Sequence, residues 1–301
     1  MSEIILLKDK DNFFTDDILG RLIKLSDLES WPYKKFFIKN NKELSGKVFY
    51  LTPISTNLIP SLRGFIENNK INTINPFSLQ IADKPAIDNI FLELGIPHPP
   101  GIITDDCLVA QEFIKKHRTA IVKSVNDCGG SGHFIVRENL AYLQDKKYFL
   151  NFEDKKTGKR EITMNNLHIS PPFYIQKFLY PDDNCVWRAY VVGQEVKFFS
   201  VRKRENYRNI GDYVINVAKG AKYFLKEGEN NLRALCNRFS ETVSLDVGAI
   251  DIIFHKGRPY FLEVNCEGVW MLICRKFYEC SNYNSQKHNF DRFIKDYLKG
   301  L

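Results

Sequence analysis

The sequence predicts an α/β (α+β) protein in which a small parallel sheet comes first and strand-rich units follow. Over residues 1–82, short apolar runs alternate with helical patterns, which is typical of a parallel sheet. From about residue 119 onward strand-like segments dominate, and two pairs of them flank tight turns at Gly193 and at residues 256–259. Paired strands of this kind are typical of antiparallel sheets.

The elements can be placed along the chain. The N-terminal strands are expected at residues 4–7, 48–51 and 71–74. A helix is expected after Asp16 and Asp17, which can cap its first N–H groups, and another over residues 58–66. Further helices are expected between Asp83 and Gly95, at Cys107–His117, and at residues 229–243, 269–278 and 289–298. Residues 148–165 favour a long hairpin around a polar turn.

Composition narrows the class of protein. Hydrophobic residues make up 44% and charged residues 26%, as in ordinary globular proteins. There is neither an apolar run long enough to span a bilayer nor a signal-peptide pattern, so we expect a cytoplasmic protein that does not enter membranes. The seven cysteines include no CxxC pair, which favours free thiols.

The net charge is +7, and residues 197–222 hold five more basic than acidic side chains. This basic segment fits either a solvated hairpin or a surface for anions.

Three oxygen-bearing side chains stand out in VGAIDIIFHKGRPYFLEVN. Asp251 lies inside one apolar strand, and Glu263 and Asn265 lie in the next. Because side chains alternate along a strand, Glu263 and Asn265 project from the same face. Buried carboxylates are costly unless they are paired or bind metal, and carboxylate and amide oxygens suit Mg²⁺. We therefore predict a metal site here, against the plainer alternative of solvated strand ends.

A glycine-rich turn follows a strand that ends near Lys123. The turn contains Gly129, Gly130, Ser131 and Gly132, whose backbone can approach an anion closely. This pattern alone is equally typical of an ordinary hairpin turn.

A third segment runs from a strand end into a linker. Gln176, Lys177 and Phe178 precede Pro181, and the linker backbone could meet the edge of an adenine while Asp183 binds ribose hydroxyl groups. Arg188 lies in the next apolar strand, where a buried guanidinium needs an anionic partner. That partner is either a carboxylate of the protein or a phosphate of a ligand.

Taken in order, these segments resemble the ATP-grasp superfamily, most closely the RimK-like and glutathione-synthetase-like ATP-dependent carboxylate–amine ligases. The resemblance covers about residues 80–270 and rests on the stretches DKPAIDNIFLELGIPHPPG, AIVKSVNDCGGSG, YIQKFL, VWRAYVVGQEV, AKGA and DVGAIDIIFHKGRPYFLEVN. It implies an ATP-grasp fold with an N-terminal domain at residues 1–82, a central lid subdomain at 83–180 and a C-terminal subdomain with the metal site at 181–301.

The resemblance also implies roles for individual residues. Lys84, Lys123 and the glycine-rich loop 129–132 would contact ATP phosphates, and residues 176–178 and Asp183 would hold adenine and ribose. Arg188 and Lys219 would serve the transferred phosphate. Asp251, Glu263 and Asn265 would bind two Mg²⁺ ions, with Mn²⁺ as a substitute.

The implied reaction joins a carboxylate to an amine through an acyl phosphate. The acceptor would be an amino acid, a small molecule or a peptide, including a peptide made on the ribosome, and a homodimer is compatible with this reading. Two departures concern the substrate and the hinge. CEGVWM replaces the usual small-Pro-Gly turn after Asn265, and Gln176 or Lys177 stands where the family has a glutamate.

Two alternatives differ in chemistry. A kinase of the same fold could phosphorylate an alcohol such as an inositol phosphate, which the basic segment 197–222 would suit. A nucleic-acid-binding protein ranks lowest, because the sequence has no helix-turn-helix or RNA-binding signature.

Overall fold

A computed structural model gives the architecture of the protein. It describes residues 3–8, 29–37, 39, 41–51, 58–76, 84–123, 134–137, 140–143, 146–154, 160–164, 167–169, 172–203, 215, 221–265 and 290–301. Within these residues the strands form three sheets. The helices predicted after Asp17 and at residues 269–278 lie outside the described residues.

The first sheet is small and parallel, as predicted. Its elements are β1 (Glu3–Lys8), β2 (Glu29–Pro32), α1 (Tyr33–Phe37), α2 (Asn41–Leu44), β3 (Lys47–Leu51), α3 (Ile59–Asn69) and β4 (Asn72–Ile74). The strand order is β2-β1-β3-β4, with every pairing parallel. Strand β2 was not predicted, because it is short and contains Pro32. A proline is tolerated there since β2 lies at the sheet edge.

The second sheet holds eight antiparallel strands. Its segment contains α4 (Lys84–Glu93), β5 (Gly101–Thr104), α5 (Cys107–His117), β6 (Thr119–Lys123), β7 (Phe134–Arg137), β8 (Leu140–Leu143), β9 (Lys146–Asp154), β10 (Arg160–Met164), β11 (Leu167–Ile169) and β12 (Phe173–Lys177). The order is β11-β10-β9-β8-β7-β6-β12-β5. Arg160 pairs with Asp154, so the predicted hairpin at residues 148–165 is confirmed. We call this sheet the central sheet.

The third sheet holds five antiparallel strands. After a short 3-10 turn at Asp182–Asn184 come β13 (Cys185–Val192), β14 (Glu195–Lys203), β15 (Lys222–Lys226), α6 (Asn230–Val243), β16 (Val247–His255), β17 (Arg258–Asn265) and α7 (Phe290–Lys299). The order is β15-β14-β13-β16-β17, and both hairpins predicted from the turns are confirmed. We call this sheet the C-terminal sheet.

Helices α4 and α6 pack on one face of the C-terminal sheet. Ile87 and Phe91 of α4 lie in one buried cluster with Phe239 of α6 and with Ile250 and Phe261 of the sheet. Burying a side chain of this size contributes about 1.5–3 kcal/mol. Helix α4 is thus fixed to the C-terminal sheet, although it precedes the central sheet in sequence. The domain boundaries at residues 82/83 and 180/181 stay predictions.

The opposite face of the C-terminal sheet meets the first sheet and α7. Ile4 and Ile74 of the first sheet, Tyr190 of β13 and Ile294 and Leu298 of α7 share one buried cluster. None of the described helices is long and apolar enough to cross a membrane.

A single asparagine joins the first sheet to the C-terminal sheet. Asn75, fully buried after β4, donates from its Nδ2 to the Val247 carbonyl (2.8 Å) and accepts at Oδ1 from the Val247 N–H (2.7 Å). Its backbone N–H donates to the carboxylate of Asp246 at 2.7 Å. Asn75 has a φ of 60°, a left-handed conformation that asparagine tolerates better than most residues.

Replacing Asn75 should therefore destabilise the protein. Asn75→Ala leaves the buried N–H and C=O of Val247 without partners and puts a less suitable residue at positive φ. We expect a loss of about 2–4 kcal/mol in the free energy of unfolding, measured by urea denaturation. Asn69→Ala, which removes one partly buried bond to the Phe65 carbonyl, is the control and should cost about 1 kcal/mol or less. Equal losses in the two variants would contradict the role of Asn75 as a junction.

Candidate active site

A row of polar side chains crosses one face of the C-terminal sheet. Asp251 on β16 pairs with Arg188 on β13 and with Glu263 on β17. Asn265 on β17 pairs with Ala249, which lies two residues before Asp251 on β16. Directly paired residues of antiparallel strands point to the same side. The three predicted oxygen donors therefore share one face, as the alternation in sequence indicated for Glu263 and Asn265.

This polar row lies between two apolar regions of the same face. On one side are Tyr190 and Ala249, which belong to the cluster beneath the first sheet and α7. On the other side are Val186 and Ile253, which pack with Leu179 of the linker. A row of charges inside an otherwise apolar surface is costly to fold unless the charges are paired or serve a ligand.

Two β-bulges put these residues in line. The pairing of β16 with β17 shifts between Asp251 and Ile252, so Asp251 faces Glu263, whereas an unbroken ladder from the turn would place Leu262 opposite it. The pairing of β13 with β14 shifts between Tyr190 and Val191, which brings Ser200 opposite Arg188. Each bulge moves one strand by one residue, and a shift of one residue reverses which face its side chains occupy.

Asp251 is held between two guanidinium groups. The Nε and Nη2 of Arg188 donate to its Oδ1 and Oδ2 at 2.6 and 2.7 Å, which is a bidentate pair. The Nη2 of Arg202 donates to the same Oδ2 at 2.6 Å. Asp251 is 5% exposed and both arginines are buried. Arg188 therefore pairs with a carboxylate of the protein, which is one of the two kinds of partner that the sequence left open.

The charge balance of this trio determines the protonation of Asp251. Burial would raise the pKa of Asp251, but the positive charges and hydrogen bonds of Arg188 and Arg202 outweigh it and bring the pKa to about 2. The carboxylate is therefore ionised at neutral pH, and the trio carries one net positive charge in the middle of the sheet.

Sequence reasoning missed Arg202, which it counted only within the basic segment 197–222. Side chains alternate along a strand, so the face on which Arg202 lies depends on how β14 pairs with β13. With the bulge, Arg202 lies on the same face as Arg188. An unbroken ladder would place it on the other face. Its Nε is buried and has no hydrogen-bond partner among the described residues. A buried guanidinium nitrogen without a partner is suited to an anion.

Glu263 and Asn265 complete the row and are half-buried. The Nδ2 of Asn265 is buried without a hydrogen-bond partner in the described part of the chain, and a half-turn of the amide exchanges its nitrogen and oxygen. Together with Asp251, whose Oδ1 accepts only one of the three arginine hydrogen bonds, these groups form a set of hard oxygen donors that fits Mg²⁺. No group of three or more His, Cys, Asp or Glu side chains suited to a metal occurs among the described residues.

The predicted hinge leads from the central sheet to this site. Gln176 is 1% exposed, Lys177 and Phe178 are half-buried, and the N–H groups of Lys177 and Phe178 donate to the carbonyls of Pro100 and Thr119 at 2.8 and 3.0 Å. Asp183 is exposed on the following 3-10 turn, at a φ of 52°.

A second carboxylate that the sequence did not single out holds this turn. Asp182 accepts hydrogen bonds from the backbone N–H groups of Lys256 and Gly257, at 3.0 and 2.8 Å. These bonds lower the pKa of Asp182. They tie the linker, and with it Asp183, to the turn between β16 and β17.

Lys123 lies with Gln176 rather than with the polar row. Its Nζ donates to the Oε1 of Gln176, across neighbouring strands β6 and β12. The other predicted site residues are described less fully. Lys84 is the first residue of α4, but its side chain lies outside the described atoms, as do Gly129, Gly130, Ser131, Gly132 and Lys219 entirely.

The family of the chain follows from comparison with known proteins. Residues 82–273, more than half of the chain, match the RimK-like ATP-grasp domain. The chain belongs to the RimK-like ATP-grasp family. The polar row, the linker and both larger sheets lie wholly or almost wholly within the matched residues.

Sequence identity between this ATP-grasp chain and a curated relative is low. Tetrahydromethanopterin:alpha-L-glutamate ligase of Methanocaldococcus jannaschii is 27% identical over 209 residues, which cover 68% of this chain and 65% of that protein. The chain thus spans about two thirds of the length of this curated relative.

Two solved structures share the fold over nearly the whole chain. The ATP-grasp ligase PsnB, complexed with a phosphomimetic variant of its minimal precursor, Mg and ADP, is 16% identical with a TM-score of 0.58, covering 100% of this chain and 98% of PsnB. The macrocyclase MdnC, bound with precursor peptide MdnA from Microcystis aeruginosa MRC, is 12% identical with a TM-score of 0.58, covering 99% and 100%. The predicted ATP-grasp fold is confirmed, and the resemblance to ATP-grasp ligases is confirmed at the level of family.

The buried trio makes stability depend on pH under acidic conditions. Because folding lowers the pKa of Asp251 to about 2, from roughly 3.9 in unfolded chains, its contribution is complete above about pH 4 and is lost as the pH falls towards 2. Asp251→Asn removes the buried negative charge that pairs with Arg188 and Arg202 and should lower the free energy of unfolding by about 3–5 kcal/mol at pH 7.

Urea denaturation between pH 7 and pH 2 measures both effects. Between pH 4 and pH 2 the Asp251→Asn variant should lose less stability than the wild type. The exposed Asp105→Asn is the control and should follow the wild type at every pH. An Asp251→Asn variant as stable as that control would contradict the pairing.

Proposed function

We propose that the protein is an ATP-dependent ligase that joins a carboxylate to an amine through an acyl phosphate. One observation carries this proposal: two β-bulges bring Glu263, Asn265 and Arg202 onto the face of the C-terminal sheet that holds the directly paired Asp251 and Arg188. Oxygen donors next to buried guanidinium groups suit a metal-bound polyphosphate, whose transfer needs charge neutralisation and positioning more than a nucleophilic side chain.

The proposed cofactors are ATP and Mg²⁺. PsnB, which shares the fold, was solved with Mg and ADP, and this supports the assignment. Glu263, Asn265 and Asp251 would hold the metal, which when bound supplies positive charge to the phosphate oxygens. Two ions rather than one, Mn²⁺ as a substitute, a homodimer and a cytoplasmic location stay predictions.

The residues of the chain divide the work. Arg202 and Arg188 bring positive charge to the transferred phosphoryl group, and the Nε of Arg202 is suited to one of its oxygens. Asp251 keeps both guanidinium planes in position, since each donates to its carboxylate. We assign Lys84, Lys123, Lys219 and loop 129–132 to the phosphates, and residues 176–178 with Asp183 to the nucleoside.

Bond changes are simple in this scheme. A carboxylate oxygen attacks the γ-phosphorus of ATP, and ADP leaves as the mixed anhydride forms. An amine then attacks the carbonyl carbon, inorganic phosphate leaves, and the amine gives up a proton as the amide forms. The net products are an amide, ADP and phosphate.

The acceptor is proposed to be an amino acid or a peptide. The glutamate ligase that the chain resembles, and the peptide bound to MdnC, support these two classes. The long hairpin of β9 and β10 at the outer part of the central sheet supports a peptide, because it adds surface beyond the sheet core.

Product analysis tests the reaction. The protein is incubated with Mg-ATP and, separately, with pooled amino acids, peptides or inositol phosphates, and the products are identified by mass spectrometry. We expect ADP, free phosphate and a product whose mass corresponds to loss of water between a carboxylate and an amine. A phosphorylated alcohol without free phosphate would instead identify a kinase and overturn the ligase proposal.

Two variants test the metal ligands. Glu263→Gln and Asn265→Ala should each reduce kcat by about 10²-fold or more, because each removes an oxygen that would hold the cation at the phosphates. Their thermal unfolding should stay close to the wild type, since neither side chain is fully buried.

Glu229→Gln, at an exposed carboxylate that makes no capping bond at the start of α6, is the matched control and should retain full turnover. Full activity in either ligand variant would contradict the assignment.

A further inference from the structure

A carboxylate on α4 lies against the nucleotide side of the hinge. Asp88 accepts two hydrogen bonds at its Oδ2, from the Nε2 of Gln176 and from the hydroxyl of Tyr174, both at 2.6 Å. Gln176 in turn accepts at Oε1 from the Nζ of Lys123. These bonds form a continuous chain from Asp88 through Gln176 to Lys123.

The chemistry of the end groups determines how the Gln176 amide is turned. A carboxylate only accepts hydrogen bonds and an ammonium only donates them. The NH₂ of the buried Gln176 must therefore face Asp88, and its oxygen must face Lys123. The reverse orientation would bring an NH₂ group against the ammonium of Lys123 and an oxygen against the carboxylate of Asp88.

The absence of a side chain at Gly101 leaves space for the contact between Asp88 and Gln176. Gly101 on β5 pairs with Gln176, and a Cβ at Gly101 would come within 3.0 Å of the Asp88 Oδ2 and of the Gln176 Cγ. Contacts of this length are tighter than most Cβ contacts, so a side chain at position 101 would require Asp88 and Gln176 to shift.

Helix α4, which bears Asp88, is packed against the C-terminal sheet. Its Ile87 and Phe91 are buried in the cluster beneath the C-terminal sheet, while Asp88 reaches the central sheet. Lys84, the first residue of α4, lies one helical turn before Asp88. The helix therefore ties the C-terminal sheet to the hinge of the central sheet.

We infer that Asp88 is a positioning residue of the nucleotide site: it fixes the Gln176 amide so that the amide oxygen holds the ammonium of Lys123 for an ATP phosphate. This inference rests on the proposed function, in which Lys123 contacts the nucleotide. An ammonium carries three N–H donors, so the same group can bond Gln176 and an anion at once. In this scheme Asp88 acts on Lys123 only through Gln176.

Asp88→Ala tests the orientation. Alanine removes the acceptor that holds the NH₂ of Gln176, so the amide is no longer fixed with its oxygen towards Lys123. We expect the dissociation constant of Mg-ATP, measured by titration calorimetry, and the KM for ATP to rise about tenfold, as for loss of a hydrogen bond to a charged group. The kcat at saturating ATP should change little.

A second substitution should rescue the first. In Asp88→Ala/Gln176→Glu, the negative charge moves from position 88 to position 176 and the total charge is unchanged. The carboxylate introduced at position 176 has no NH₂ to orient and accepts from Lys123 with either oxygen. We expect Mg-ATP affinity to return to within about threefold of the wild type. Asp106→Ala, at the N-cap of α5 where the carboxylate accepts from the Leu108 N–H, is the matched control and should bind Mg-ATP normally.

Each outcome decides the inference. Weak binding in the single variant with recovery in the double variant supports it. Unchanged binding in Asp88→Ala, or no recovery in the double variant, overturns it while leaving the ligase proposal intact if the wild type binds Mg-ATP and makes an amide. A wild type that does not bind Mg-ATP overturns both.

Discussion

The bond between Asp251 and its two arginines is the interaction on which the rest of the site depends. An ionised carboxylate at 5% exposure is tolerated only because Arg188 and Arg202 compensate its charge, and the arginines are tolerated only because of Asp251. The trio carries one excess positive charge beside Glu263 and Asn265, between two apolar regions of the sheet face. Its guanidinium groups can therefore attract an anion without a large rearrangement, since the cost of burying the charges has already been met by folding.

The two β-bulges determine which residues make up the site. Both bulges lie on strands that carry the polar row, and each one determines which residues share a face. Two polar residues also fix irregular segments to the β16–β17 hairpin. Asp182 binds the linker to the turn of the hairpin, and Asn75 binds the end of the first sheet to the first residue of β16. The linker and the first sheet are therefore both attached to the β16–β17 hairpin, which carries Asp251, Glu263 and Asn265 of the polar row.

Much of the fold could be predicted because its signals are local. Alternating side chains around Gly193 and residues 256–259 predicted both hairpins, and the two-residue spacing of Glu263 and Asn265 predicted their common face. Arg202 could not be placed, because its face depends on a bulge that has no glycine to mark it. Asp88 could not be placed either, since its partners Tyr174 and Gln176 lie on a strand distant in sequence. Residue types alone predicted a metal site at Asp251, Glu263 and Asn265 rather than solvated strand ends, and the family resemblance added the number of two Mg²⁺ ions, which stays a prediction.

The cluster that joins the first sheet, the C-terminal sheet and α7 has a consequence for the order of folding. It brings Ile4 together with Ile294 and Leu298, so it closes a loop almost as long as the chain. Loops of this length carry a high entropic cost, and contacts so distant in sequence slow the search for the native state. The hairpins around Gly193 and residues 256–259 close only short loops, so we expect them to form first and to provide the surface on which β1, β4 and α7 assemble.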